Sequence, residues 1–252
     1  MERRKASAIK GNRHPAFTGR CCMIYSMKSL YFLKYFYFIA RNWNIKLAAF
    51  TVYHEIKGEK KYQLQTVKVD TLKHEKLKSE NLKHASIYQA TNYYLIEQAF
   101  DFLKKEQANL HLVDFGSGKG RVMVVAAYYG FKKITGIDFS QSLCNEATIN
   151  IEKIKPLFPS TDFELICDDA VNYPVKNDDT VFFFFNPFDE VVMLQVVKNI
   201  LASLKKNERK IYVVYVNPLH KEIFLSAGFE EEYYFKKMEY LEFVILAKQL
   251  EE

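Results

Sequence analysis

The sequence predicts an α/β protein built on an open, mostly parallel sheet, and three observations carry that reading. Short apolar runs of strand character recur from residue 110 onward, and helical patterns separate most of them. The first run ends in an acid and then in alternating glycines, Gly116, Gly118 and Gly120, before a helix-prone stretch resumes. Strand, glycine turn and helix make a ligand site beyond the carboxyl end of a strand, where the glycines let backbone N–H groups approach a guest.

Bulk properties set the frame. With 252 residues the chain can bury a full core, as one large domain or a domain with an appendage. A hydrophobic share of 49% with 26% charged residues is ordinary for a globular protein. The net charge of +6 is unevenly placed: residues 1–20 hold Arg3, Arg4, Lys5, Lys10, Arg13 and Arg20 against Glu2, a net +5, which leaves +1 for residues 21–252. A charge argument for nucleic acid therefore applies to the tail and not to the domain. Cys21, Cys22, Cys144 and Cys167 show no C-x-x-C spacing and no pairing with the six histidines. No metal is expected, and the thiols read as reduced in a cytoplasmic protein.

Residues 1–20 lack periodicity and are interrupted by Gly11, Pro15 and Gly19, so a disordered basic tail is expected, solvated or touching an acidic surface. Residues 22–40 form one aromatic-rich, membrane-like stretch. Lys28 and Lys34 make it a poor membrane span, each costing about 2.5 to 3.5 kcal/mol at a bilayer centre. It is expected as a helix packing on the main domain, with peripheral contact to a membrane surface or a partner left open. Alternation over residues 48–69, with Phe50, Val52 and Ile56 before Lys57-Gly58-Glu59-Lys60 and Tyr62 and Leu64 after it, predicts a β-hairpin. Mixed charges over residues 68–84 predict a solvated linker. Residues 21–84 thus form an extension, and residues 85–252 the main domain.

From residue 85 apolar positions recur at three and four, predicting a helix ahead of the first strand, residues 110–113. A helix over 121–129 stops at Gly130, and residues 133–138 form a second strand ending in Asp138. The third strand is 162–167 and the fourth 180–185, apolar throughout as a strand covered on both faces should be. A helix over 191–204, a strand over 210–216, a short helix over 220–226 and two strands, 229–235 and 240–246, complete seven strands, with helices between the first five.

The glycine turn decides among three motifs. A dinucleotide fingerprint needs a third glycine at position 121, where Arg121 stands; a phosphate-binding loop needs Ser or Thr directly after Gly-Lys, where Gly120 follows Lys119. Asp114, Gly116, Gly118 and Gly120 instead fit D-x-G-x-G-x-G position by position. In this the chain resembles the class I S-adenosylmethionine (AdoMet) methyltransferases. The resemblance covers about residues 87–248 and implies a Rossmann-like seven-stranded sheet whose last strand is antiparallel.

The resemblance also implies a site. Gly116 and Gly118 would admit the methionine moiety of the cofactor, AdoMet, and Asp114, Ser117 and Gly120 would also bind the cofactor. Asp138 lies 24 positions after Asp114, the interval of one strand-turn-helix-strand unit, and its two oxygens suit both ribose hydroxyls; a helix N-cap is the rival role. Phe139 would cover one face of the adenine. Asp169 and Ala170, after the third strand, match the pair that reads the adenine edge, with Asp168 as the neighbouring alternative. Tyr88 and Thr91 resemble a Tyr-x-Pro-Ser/Thr segment that closes over the cofactor in some protein-lysine methyltransferases, with Ala90 in place of proline. Capping of the following helix is the other role for Thr91. Asn186, Pro187 and Phe188 resemble the Asn-Pro-Pro-aromatic motif of amino-group methyltransferases, one proline short, and would be the catalytic segment; alternatively Asn186 caps the next helix.

The function expected is N-methylation of a protein amine, a nucleic acid base or a small molecule, with the oligomeric state and the acceptor left open. The rivals are a nucleoside-binding adaptor for RNA or protein and a nicotinamide-dependent oxidoreductase, the second disfavoured by Arg121.

Overall fold

A computed structural model describes residues 19–66, 90–106 and 110–249. The chain divides into two compact units, residues 1–52 and 53–252. The expected tail and linker lie outside the described residues, as does the start of the helix predicted from residue 85.

The first unit holds helix α1 (Gly19–Asn42) and the beginning of α2 (Ile45–Lys61). Asn44 starts α2: its Oδ1 accepts from the Leu47 N–H at 2.8 Å. The hairpin expected over residues 48–69 is therefore wrong, and its first half is helical. Buried positions in and just after α2 fall at 47, 48, 51, 55, 58 and 62, a spacing of three and four that the alternation of residue types concealed. Gly58, taken for a turn, lies inside the helix. A Cβ there would stand 2.2 Å from Cγ of Tyr93, so glycine serves close approach of an aromatic ring.

In the second unit α3 (Tyr93–Glu106) precedes a seven-stranded sheet. Its strands are β1 (His111–Phe115), β2 (Lys133–Asp138), β3 (Asp162–Cys167), β4 (Val181–Phe185), β5 (Ile211–Val216), β6 (Glu230–Lys237) and β7 (Leu241–Lys248). Helices α4 (Arg121–Tyr128), α5 (Gln141–Ile154), α6 (Glu190–Lys206) and α7 (Lys221–Ser226) connect them. The order is β3-β2-β1-β4-β5-β7-β6, with β7 antiparallel to both neighbours. Every predicted strand is present to within two residues at either end. The helix expected between the third and fourth strands is reduced to one 3-10 turn, Ala170–Asn172, because Pro174 and the polar run Asn177-Asp178-Asp179 break up the short connection.

The core explains this order. Phe182, Phe183 and Phe184 of β4 are all buried, as are all six residues of β5, so these strands are covered on both faces. Phe115 stacks on Phe184 at 5.1 Å between ring centroids, fixing β1 beside β4. Because β1 pairs with β2 on one side and β4 on the other, the chain reverses its winding direction at β1, and the crevice of an open α/β sheet opens at such a point.

Candidate active site

The glycine turn is fixed by backbone bonds to the neighbouring strand. Gly116 and Ser117 both donate to the Ile137 carbonyl of β2, at 2.9 and 3.0 Å, and Gly120 donates back to the Ser117 carbonyl at 2.8 Å. Gly116, Gly118 and Gly120 take φ of 78°, 53° and 74°, a left-handed region that side chains disfavour. At Gly116 space is limiting as well, since a Cβ would lie 2.6 Å from Cβ of Pro187. The segment after β4 is thereby seated directly on the turn after β1.

Asp138 is buried at the tip of β2, with Oδ2 accepting from the Gly118 N–H at 2.8 Å and Oδ1 from the Ser140 N–H at 2.9 Å. It is not the α5 cap: Ser140 is, through Oγ and the Leu143 N–H. Phe139 stands half-buried between them. Asp114 is buried too, and its Oδ2 has no hydrogen-bond partner. Burial first, and the Asp138 charge second, push its carboxyl well above the ordinary carboxylate range. Ser117 Oγ is likewise buried and unpartnered.

The two cations of the turn face inward. Lys119 is buried against Glu146, Nζ to Oε2 at 3.0 Å. Arg121 is buried against Glu55 at 2.8 Å, and it donates from Nε to Thr66 Oγ1 at 2.7 Å and from Nη1 to the Thr91 carbonyl at 2.6 Å. Its guanidinium carbon lies 4.0 Å from the Tyr93 ring centroid, the expected range for a cation over an aromatic face. A phosphate-binding loop keeps its lysine for the ligand, whereas here carboxylates already neutralise both charges. The turn suits a guest without phosphate.

Past β3, Asp168 Oδ1 accepts from the Asp169 N–H and from Asn172 Nδ2, at 2.7 and 3.0 Å. Asp169 Oδ1 accepts from the Val171 N–H at 3.1 Å and so opens the 3-10 turn that begins at Ala170. Past β4, Asn186 has φ +41°, and its buried Oδ1 has no partner. It does not cap α6, because Asp189 does, accepting from the Val191 and Val192 N–H groups. Phe188 meets Phe184 edge to face at 6.3 Å.

The predicted site residues of the four strands thus gather at adjoining carboxyl ends. Among the described residues, Thr91 joins them through Arg121. It does not cap α3, whose first turn is held by Asn92 Oδ1 accepting from the Tyr94 N–H at 2.9 Å. Tyr88 lies outside the described residues. Sequence reasoning missed Glu55, Thr66 and Ser140, and it used Arg121 only to reject a motif. Nothing local to residues 55 and 66 signals that they meet a residue more than fifty positions away.

A family model described as a methyltransferase domain matches residues 112–207, which span β1 to the end of α6. With the glycine turn and the strand order above, that match identifies residues 112–207 as a methyltransferase domain. Solved structures with a similar fold include an rRNA methylase from Streptococcus thermophilus, 16% identical over 62% of this chain and 96% of that one, TM-score 0.46. Another is a magnesium protoporphyrin IX methyltransferase from Synechocystis, solved with bound AdoMet, 13% identical over 62% and 78%, TM-score 0.47. A ribosomal protein L11 methylase from Lactobacillus delbrueckii is 15% identical over 61% and 75%, TM-score 0.43. No protein of curated function matches the sequence. Among the described residues no helix is long and apolar enough to cross a membrane, and no three His, Cys, Asp or Glu side chains are grouped to hold a metal ion.

Proposed function

We propose that the chain transfers the methyl group of AdoMet to an amine nitrogen, with the cofactor lying across the tips of β1, β2 and β3. One observation carries the choice of nitrogen: Asn186 Oδ1 is buried without a donor, on a left-handed backbone, beside the contact of Pro187 with Gly116. An unsatisfied buried acceptor costs about 1 to 3 kcal/mol, and an N–H at that point would recover it. Asp189 relieves Asn186 of the capping duty that would have explained its presence.

The cofactor fits the polar atoms present. Its methionine ammonium supplies donors for Asp114 Oδ2 and Ser117 Oγ, both orphaned. Asp138, buried at the tip of β2, presents two carboxylate oxygens of the kind that accept from both ribose hydroxyls. Phe139, Asp169 and Ala170 take the adenine end; Gly116, Gly118 and Gly120 admit the backbone-close part of the ligand. Thr91 borders the methionine end through Arg121.

AdoMet supplies a methyl already activated on a sulfonium, so the residues need to align more than to activate. Asn186 Oδ1 and the adjoining carbonyl accept from the amine and turn its lone pair toward the methyl, while Phe188 packs against the acceptor's apolar part. An amine so held would form its N–C bond as the S–C bond broke, the electron pair staying on sulfur and the extra proton leaving the nitrogen for solvent. Alignment of this kind is worth about 7 to 11 kcal/mol where the geometry is right. Catalytic work falls to residues 85–252, with Glu55 and Thr66 supporting the turn through Arg121. Free Cys144 and Cys167 support a reducing compartment, the cytoplasm.

The test is incubation with methyl-labelled AdoMet and cell extract, fractionated into protein, nucleic acid and small molecules, followed by identification of the labelled atom. Label on nitrogen, lost in Asn186→Ala while S-adenosylhomocysteine still binds, is the expected result. Label on carbon or on an ester oxygen would overturn the reading.

A further inference from the structure

The first unit differs from the second in charge. After Glu2 no Asp or Glu occurs until Glu55, and residues 3–54 hold ten lysines and arginines; residues 55–252 hold the remaining 26 against 29 acids. The chain's net positive charge therefore lies in the first unit, +9 against −3 for residues 55–252.

That unit also exposes apolar side chains in a pattern. On α1, Leu30, Leu33, Lys34, Tyr37, Phe38 and Arg41 follow i, i+3, i+4, i+7, i+8, i+11, so they share one helical face. All six are exposed, Leu33 at 65% and Tyr37 at 63%, while Ile39 on the opposite side is buried at 6%. Beyond the helix end, Trp43 and Ile45 are exposed as well, and Trp43 meets Phe38 edge to face at 5.9 Å. An exposed apolar stripe of this size marks a contact surface.

We infer that this face of α1 lies on a membrane surface bearing anionic headgroups, embedding Leu30, Leu33, Tyr37, Phe38 and Trp43 while Lys34 and Arg41 reach the phosphates. Long basic side chains seat their stems in apolar surroundings and keep the charged head at the interface. Aromatic rings favour the same depth, and basic residues add attraction to anionic lipid. A helix lying in the interface plane also agrees with the absence, among the described residues, of any helix able to cross. Charge selects this occupant. A second copy would oppose Lys34 and Arg41 to their own kind with no acid in residues 3–54 to pair them. Nucleic acid would leave the aliphatic Leu30, Leu33 and Ile45 without a partner, since base stacking needs aromatic faces.

The experiment is flotation of the full chain with vesicles of phosphatidylcholine alone or mixed with phosphatidylglycerol, at low and high salt. The chain should float with mixed vesicles at low salt and be released by high salt. Lys34→Glu with Arg41→Glu should weaken partition at least about tenfold, and Leu33→Ser with Tyr37→Ser should abolish it. Unchanged S-adenosylhomocysteine affinity in both variants shows that the second unit remains folded. Failure to float with anionic vesicles at low salt, or equal binding to neutral ones that the charge reversal leaves untouched, would overturn the inference. So would retention on RNA without vesicle binding, or a dimer that Leu33→Ser with Tyr37→Ser dissociates.

Discussion

Asp138 Oδ2 accepts a 2.8 Å hydrogen bond from the Gly118 backbone N–H, joining the tip of β2 to the middle of the turn after β1. The same carboxylate holds the Ser140 N–H at the start of α5, so one side chain sets the positions of the glycine turn and of the next helix. On the proposed assignment, ligand binding and local folding therefore depend on one residue.

Asp138→Asn replaces one of two acceptor oxygens by a donor facing a backbone N–H. Hydrogen bonds to charged groups contribute about 1.5 to 3 kcal/mol, so S-adenosylhomocysteine affinity should fall roughly ten- to hundredfold, with a lower melting temperature. Calorimetric titration reads the first and a thermal scan the second. Unchanged affinity would remove the ribose from this carboxylate.

Gly116→Ala meets two obstacles, a left-handed backbone and the Pro187 side chain at 2.6 Å. The first costs about 1 kcal/mol in stability, and the second should displace residues 186–188 and lower turnover further. Adding Pro187→Gly removes the clash and should restore part of the activity. A strictly additive double variant, measured by kcat/KM, would show that the two sites do not touch in the working enzyme.

Glu55→Gln leaves the Arg121 guanidinium buried with Glu59 as its remaining carboxylate, at 3.8 Å from Nη2. Breaking a buried pair from one side costs about 3 to 5 kcal/mol, so urea denaturation should show a loss near the lower bound. A loss under about 1 kcal/mol would mean that Glu59 takes over.

Asp114 links stability to pH. Its carboxyl is raised in the folded chain well above the ordinary value of 3.8, so between the two values the native state holds a proton that the unfolded state has released. Its contribution to stability is thus greatest at low pH and declines as pH rises from that value through the raised one. Asp114→Asn should remove this slope and be more stable than the parent at neutral pH, the gap closing in acid. On the proposed assignment a methionine ammonium beside Asp114 favours the charged form, so cofactor binding should release a proton. Titration in buffers of different ionisation enthalpy measures that release, and none would detach Asp114 from the ligand.

Phe188→Ala should lower kcat/KM for the methyl acceptor about tenfold or more while leaving S-adenosylhomocysteine affinity within about twofold, because on the proposed assignment its ring packs on Phe184 and the acceptor. A matching loss of cofactor affinity would place Phe188 in the nucleoside pocket instead.

The sequence by itself determined the sheet, because burial on both faces leaves apolar runs such as 181–185, and it determined the turn, because left-handed backbone at three alternating positions calls for glycine. It also marked Asp138 and Asn186, whose places follow from the length of a strand-turn-helix unit and from the end of an apolar run. Only the tertiary structure decided what those side chains are free to do. Ser140 and Asp189, not Asp138 and Asn186, cap the helices that follow, and this rests on hydrogen-bond geometry that residue types cannot rank. Only tertiary structure, likewise, turned residues 48–61 from an expected hairpin into a helix: Gly58 lies under the Tyr93 ring, and Glu55 pairs with Arg121. Those partners are 35 and 66 positions away, and periodicity over a short window carries no trace of contacts at that range.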